Sequence, residues 1–229
     1  HIGLKPHAHP HEVAEVRSLT IVGSGWHPAL FRQEARALLG PIETLHPRIV
    51  FSTQSEDVIH RITDASLIDY ALGDSSRLWL YDEPISAIEL ASHISEWADT
   101  FLPAGTFAVR ARRLGTGVSG LSRREVETET GAKIYSNIKQ VDLTKPDYEL
   151  MVVLAGQMDR TSQWDEAKSG QLVVWGIRDQ VSKGAYIGTS PTNRPFFKPV
   201  TMDPRLARLM VSLSFSERPP STIVDPFCG

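Results

Sequence analysis

The chain has 229 residues and a mass of 25.4 kDa, room for one large or two small domains. With 41% hydrophobic and 22% charged residues it has the composition of a soluble globular protein, which excludes intrinsic disorder, and its longest apolar runs, such as Leu150 to Gly156, are strand-sized and exclude a membrane span. The net charge of −3 hides an asymmetry: residues 1–104 hold 7 Lys and Arg against 14 Asp and Glu, whereas residues 105–229 hold 17 against 13, so the second half is the candidate for a polyanion-binding surface.

Residues 1–17 carry His1, His7, His9 and His11 among prolines. Such a tract can bind metal, but proline opposes a helix there and no matching ligand cluster succeeds it, so a loosely ordered or non-native terminus is the expectation. Leu19 to Val22 read as a strand closed by a Gly-Ser-Gly turn. Pro28 opens an amphipathic helix with Leu30, Ala35, Leu38 and Leu39 on one side and Gly40 as its stop. RIVFST reads as a second strand, the stretch from Ser55 to Gly73 as a helix, SRLWLYDE as a third strand, and the stretch from Ala87 to Leu102 as another helix. Strand, helix, strand, helix and strand predict a small ferredoxin-like α+β layer. Its acidity suits spacing and orientation better than contact with phosphate.

A second unit begins at Gly105. TFAVRARR is a strand with Phe107 and Val109 on one face and Arg110 and Arg112 on the other. Ser122 caps the next helix, with Glu125 at the capping-box spacing. VDLTKPDYELMVVLAG gives a turn and a long buried strand, QLVVWGIRD another strand, and KGAYIGTSPTNRPFFKP an irregular segment. Asp203 and Pro204 start a last helix whose Leu206, Leu209, Met210 and Leu213 form one apolar stripe, expected to pack in the core. STIVDPFCG then reads as a strand running into a glycine turn.

Arg110, Arg112, Arg113, Arg123 and Arg124 offer guanidinium forks for phosphate oxygens, with Lys133, Lys139 and Lys183 as further candidate contacts. The plainer reading has Glu125, Glu127 and Glu129 neutralising the arginines on a solvated face. His27, His46, His60 and His93 lack metal-ligand spacing or a Ser/Asp partner, and GLSRR lacks the spaced glycines of a phosphate loop. Cys228, the single cysteine, rules out an internal disulfide framework and fits a reducing cytoplasm. With no visible base nearby it is not a catalytic nucleophile.

Phe107-Ala108-Val109-Arg110, the helix from Val126 to Gly131-Ala132, and Val141-Asp142-Leu143 with Lys145-Pro146-Asp147 resemble, in order and spacing, the THUMP domain of RNA-modifying enzymes. The resemblance implies a tRNA ligand, held near its acceptor stem and single-stranded 3′ end. Asp225-Pro226-Phe227-Cys228-Gly229 looks like the cofactor turn that ends the first strand of class I methyltransferases. Asn193 to Pro199, Met202 and Pro204 to Leu213 resemble the segment THUMP-linked methyltransferases place before it. As a whole the chain is most similar to archaeal-type tRNA guanosine-N2 methyltransferases acting at tRNA position 10.

The resemblance implies an α+β chain. A terminus (1–17), a ferredoxin-like domain (18–94) and a THUMP domain (95–190) lead to a linker helix and the first strand of a truncated Rossmann-like methyltransferase domain (191–229). It also implies S-adenosyl-L-methionine as cofactor of the intact protein, with Asp225, Pro226, Phe227, Gly229, Arg194 and Phe197 at its site. Further implications are a cytoplasmic location and a small activating partner protein. The catalytic Asp/Asn-Pro-Pro-aromatic loop of the family does not occur in these residues, so the chain alone is expected to bind tRNA, hold no cofactor and transfer no methyl group. Two alternatives stay open: a THUMP module of another RNA-modifying enzyme, whether a methyltransferase for a different guanosine or a thiouridine synthetase, and a stand-alone RNA-binding adaptor.

Overall fold

A computed structural model describes residues 16–55, 59–81, 84–158, 170–179, 202–214 and 222. The elements run β1 (Val16–Gly23), α1 (Pro28–Leu39), β2 (Glu43–His46), β3 (Ile49–Ser55), α2 (Ile59–Ile62), β4 (Ile68–Leu80), α3 (Ala87–Phe101), β5 (Gly105–Leu114), α4 (Arg123–Ile134), β6 (Lys139–Val141), β7 (Tyr148–Ala155), β8 (Gln171–Asp179) and α5 (Pro204–Leu213). All eight of these strands form one sheet in the order β2-β3-β1-β4-β8-β7-β5-β6. β5 runs parallel to β6 and β7, and the other pairings among them are antiparallel.

Local signals start and stop most helices as expected. The His27 ring nitrogen Nδ1 accepts from Leu30 N at 3.2 Å, and Gly40 ends α1 with φ 80°. Ser86 and Glu89 form a reciprocal capping box on α3. Ser122 accepts from Glu125 N at 3.2 Å on α4, and Asp203 accepts from Arg205 N at 2.8 Å on α5. Each such cap satisfies backbone donors that a helix leaves unpaired, worth about 1 kcal/mol.

The sheet is buried on both faces, and one face carries the helices. Over β1 and β4, Phe31, Ala35, Leu38 and Leu39 of α1 and Leu209 of α5 cover Leu19, Ile21, Ile68 and Ala71. Over β5, β7 and β8, α3 and α4 bring Leu90, Ile94, Trp97, Val126 and Ile134 onto Phe107, Val109, Leu150, Val152, Val173 and Trp175. Each of these large side chains contributes about 1.5–3 kcal/mol when fully buried.

On the other face Val22, Leu45, Ile49, Tyr70, Leu72, Leu114, Met151, Val153, Leu172 and Val174 cluster with no described helix among them. The sheet folds onto itself to bury them. His46 Nε2 donates to Gly156 O at 2.9 Å while its Nδ1 accepts from Arg48 N at 3.2 Å. β2 and β7 are five strand spacings apart, which would be about 24 Å in a flat sheet. Twist and curl remove that distance.

Several expectations are corrected. The helix expected from Ser55 to Gly73 is a single turn, α2. Residues from Ile68 onward are instead the first half of β4, a 13-residue strand, because Tyr70 and Leu72 are buried on one face and Ala71 on the other, in a strand that pairs with β1 and, from Ala71, with β8. β2 has no counterpart among the expected strands. The expected ferredoxin-like layer therefore keeps only one full helix in its span, and it shares one sheet with the second unit rather than standing apart. The boundary drawn between residues 94 and 95 falls inside α3. In α5 only Leu209 of the expected stripe is buried, and Leu206, Met210 and Leu213 are exposed. The strand read in STIVDPFCG, the histidine tract of residues 1–15, and Lys183, Arg194, Phe197, Asp225, Pro226, Phe227, Cys228 and Gly229 lie outside the described residues. No described helix is long and apolar enough to cross a membrane, and no described group of three His, Cys, Asp or Glu could hold a metal ion.

Candidate nucleic-acid interface

β5 and α4 position the arginines singled out in sequence. The alternation of β5 holds: Phe107, Val109 and Ala111 enter the core beneath α3 and α4, and Arg110 and Arg112 belong to the opposite side. The two arginines then diverge. Arg110 Nη2 donates to Leu143 O at 2.7 Å across the outer edge of the sheet. Arg112 Nη2 reaches Asp69 at 3.2 Å and lies 5.5 Å from the centre of the Tyr70 ring. Arg113 is exposed, and its guanidinium donates to Thr116 O.

Arg123 and Arg124 stand exposed in the first turn of α4, and Lys133 is exposed in its last. None of the three side chains has a hydrogen-bond or ion-pair partner among the described residues. The glutamates do not neutralise them either. Glu127 instead accepts from Ala111 N at 2.8 Å, which covers a main-chain donor on the edge of β5 that β6 leaves open, since β6 pairs only with Gly105 to Phe107. Between α4, β5 and β6 lies a groove of about 280 Å³ lined by Phe107, Val109, Arg110, Glu127, Gly131 and Leu143 among others. Gly131 has open space where a Cβ would project. Arg110 is thus a charged wall of a half-apolar groove, with Lys133 two residues from Gly131 on the same helix.

Lys139 is a correction. It is 7% exposed, and its ammonium donates to Ala98 O at 2.6 Å and lies 3.6 Å from Asp99. A cation there sits against the negative end of α3, which is a packing role.

Around the groove the loop Asp142 to Asp147 is fastened by carboxylates. Lys145 N and Thr144 N donate to Asp142 and hold its carboxyl below the ordinary range, in that order of effect. Thr106 N and the Thr106 hydroxyl do the same for Asp147. The Lys-Pro-Asp turn therefore ties the start of β5 to the start of β7, and its role is structural.

Residues that sequence reasoning missed lie on the helix-free face. Arg48 of the β2–β3 turn and Arg178 of β8 join Arg112 around Tyr70. They come from segments 64 to 130 positions apart in the chain, so no local pattern announces them.

Comparison with known proteins agrees with this layout. Residues 87–157 match the THUMP domain family, from the start of α3 to the turn after β7. The chain is 31% identical over 171 residues to the tRNA (guanine(10)-N2)-dimethyltransferase of Methanothermobacter thermautotrophicus, covering 74% of this chain and 41% of that protein. Against the protein of the same name from Pyrococcus abyssi it is 30% identical over 135 residues, 58% of this chain and 34% of that one. The chain thus spans about two fifths or less of the length of these curated relatives. Among solved structures, a possible methylase from Clostridium difficile 630 superposes with a TM-score of 0.50 at 10% identity, over 72% of this chain and 41% of that one, a likeness of fold. The resemblance to THUMP-domain tRNA methyltransferases read from sequence is borne out. The THUMP match begins at residue 87, so α3 belongs with the β5–β8 layer it covers.

Proposed function

We propose that this chain is the tRNA-binding portion of a SAM-dependent tRNA guanosine-N2 methyltransferase, which grips tRNA at its acceptor region and presents a guanosine to a catalytic domain. The observation that carries it is a coincidence of place. The exposed Arg123, Arg124 and Lys133, unpartnered among the described residues, lie on α4, inside the THUMP match and beside the groove walled by Arg110. Unpaired cations on a rigid helix bind phosphates without first breaking an internal ion pair, and the helix N-terminus next to Arg123 and Arg124 adds backbone donors. A half-apolar groove beside them suits an unpaired nucleotide, since bases of single-stranded ends are recognised by stacking and edge contacts.

Methyl transfer from S-adenosyl-L-methionine to the exocyclic guanine nitrogen requires an acceptor whose lone pair is drawn out of the ring. No described residue of this chain is placed to do that. The contribution of these residues is to bind and orient the RNA. The intact protein then uses the cofactor at a site that includes Asp225, Pro226, Phe227, Gly229, Arg194 and Phe197, and works in the cytoplasm.

The test is binding of a tRNA transcript between 50 and 200 mM KCl, followed by transfer from labelled S-adenosyl-L-methionine. With about three phosphate contacts the logarithm of affinity should fall with the logarithm of salt at a slope of about −2 to −3. Salt-independent affinity refutes the RNA interface. Methyl transfer by this chain alone refutes the division of labour.

A further inference from the structure

On the helix-free face three guanidiniums meet around one phenol. Arg112 lies 5.5 Å and Arg178 lies 5.4 Å from the centre of the Tyr70 ring. Arg48 and Arg112 share Asp69, at 3.5 and 3.2 Å, and Arg178 pairs with Glu149. Arg48 also donates through Nε to Gly23 O at 2.8 Å, and its Nη1 would lie 3.2 Å from a Cβ on Gly25. The Gly-Ser-Gly turn after β1 therefore lets a guanidinium pack against bare backbone.

Among the described residues the charges in this cluster do not balance. Three arginines face two carboxylates there, and Asp69 serves two of them at once. Arg48 is held below its ordinary value, by burial first and by Arg112 as well, against the pull of Asp69. The side chains of Arg112 and Arg178 are 39% and 34% exposed, and each commits one nitrogen to a carboxylate, so further N–H donors of both remain for solvent. Tyr70 is 1% exposed and its hydroxyl has no partner among the described residues, a rare state for a buried polar group. Asp179, next to Arg178, sits on the opposite face by strand alternation, opposite Ala71. It does not offset the excess.

We propose that this cluster is a second phosphate site for bound RNA, in which Arg112 and Arg178 hold one phosphodiester over the buried Tyr70. Because Arg48 also pairs with Asp69, Arg112 can exchange that carboxylate for a phosphate oxygen without leaving Asp69 unpaired. Guanidinium forks suit phosphate geometry. The site rests on the tRNA-binding reading above and extends it, since the acidic first half of the chain supplies Arg48, Asp69 and Tyr70. RNA that reaches it is gripped by both halves of the sheet.

The test measures binding of a tRNA transcript to the 229-residue chain in phosphate-free buffer across a KCl series. Arg112→Ala and Arg178→Ala should each weaken binding about five- to tenfold and reduce the salt slope by about 0.7–1, one phosphate contact. Tyr70→Phe should leave binding and the slope unchanged, while raising thermal stability because it removes an unpartnered buried hydroxyl. Arg178→Lys, which keeps the charge beside Glu149, should retain the slope and serves if the alanine variant does not fold. The double variant Arg123→Ala with Arg124→Ala reports on the α4 interface independently. If that variant weakens binding and the Arg112 and Arg178 variants do not, the second site is overturned and the tRNA reading stands. If the arginine variants weaken binding at an unchanged salt slope, they act through the fold, and the site is again overturned. If the wild-type chain binds no tRNA, both readings fall together. Inorganic phosphate, titrated alone at constant ionic strength, identifies the source. Calorimetric binding that Arg178→Ala abolishes, with tRNA affinity indifferent to the same change, assigns the site to free phosphate and overturns the RNA proposal.

Discussion

Glu34 shows how a single charged residue can hold a fold in a way its sequence position conceals. On α1 it stands one residue before Ala35 of the apolar face, yet it is 0% exposed. Its two oxygens accept from Ser66 N at 2.8 Å and Leu67 N at 2.7 Å, which fastens the turn that feeds β4 into the sheet. Removing the carboxylate leaves two buried N–H groups without acceptors, each costing about 1–3 kcal/mol. Glu34→Ala should therefore lower unfolding stability by about 3 kcal/mol or more in a urea titration, and Glu34→Gln, which keeps one acceptor, by about half that. A loss below about 1 kcal/mol for the alanine variant would show that water takes over the acceptor role. The same contrast runs through the other single residues. The caps at Ser122 and Asp203 are legible in sequence because donor and acceptor lie two or three positions apart. The burial of Lys139 is not, because its acceptor on Ala98 is 41 positions away. Nor is the pairing of Arg112 with Asp69, 43 positions apart.

At the scale of elements, period and caps disclosed β1, β3, the second half of β4, β5, β7 and β8 and the helices α1, α3, α4 and α5. The failure at residues 55–73 has a physical cause. Val58, Ile62 and Leu67 have the spacing of a helix face, but the segment from Ile68 pairs with β1 on one side and β8 on the other, and those ladders outweigh a weak local preference. α4 shows the reverse tension. Its sequence includes Gly131 in the interior of the helix, which costs about 1 kcal/mol against alanine. A Cβ there would meet nothing within 4 Å, so packing does not require the glycine. The groove beside it offers a reason: the missing side chain leaves room for a ligand between α4 and Arg110. Gly131→Ala should raise the unfolding free energy by about 0.5–1 kcal/mol while weakening tRNA binding severalfold. Increased stability with unchanged affinity would remove the groove from the interface and leave α4 its exposed cations alone.

The whole molecule differs most from what the chain order suggests. A change of charge near residue 105 and a run of strand and helix signals on each side imply two consecutive units. Instead β4 and β8 pair antiparallel through registered partners from Ala71↔Asp179 to Leu80↔Gln171, so the last strand of the first half and the last described strand of the second lie side by side in one sheet. Strand pairing between distant segments leaves no signature in composition or period, which is why the merger was illegible while most of its strands were not. The helix-free face reinforces the join. His46 reaches Gly156, Asp69 reaches Arg112, and Leu45, Tyr70, Met151 and Val174 share one apolar cluster. Neither half can bury that face without the other. Residues 16–86, which keep β1 whole and end before α3, should when produced alone therefore expose Val22, Leu45, Tyr70 and Leu72, bind a hydrophobic dye and show no cooperative transition. The 229-residue chain should lose tryptophan fluorescence from Trp97 and Trp175 and far-ultraviolet ellipticity in a single coincident step. Of the five tryptophans, Trp97 and Trp175 belong to the α3–α4 layer, so a chain with Trp26, Trp79 and Trp164 replaced by phenylalanine reports that layer while ellipticity samples both halves. Two separated transitions in it would mean that the β4–β8 ladder joins the halves without coupling them. Coincidence would mean that a tRNA gripped on α4 is held by a rigid frame that includes the acidic half, which then sets the distance and angle at which the bound RNA is presented.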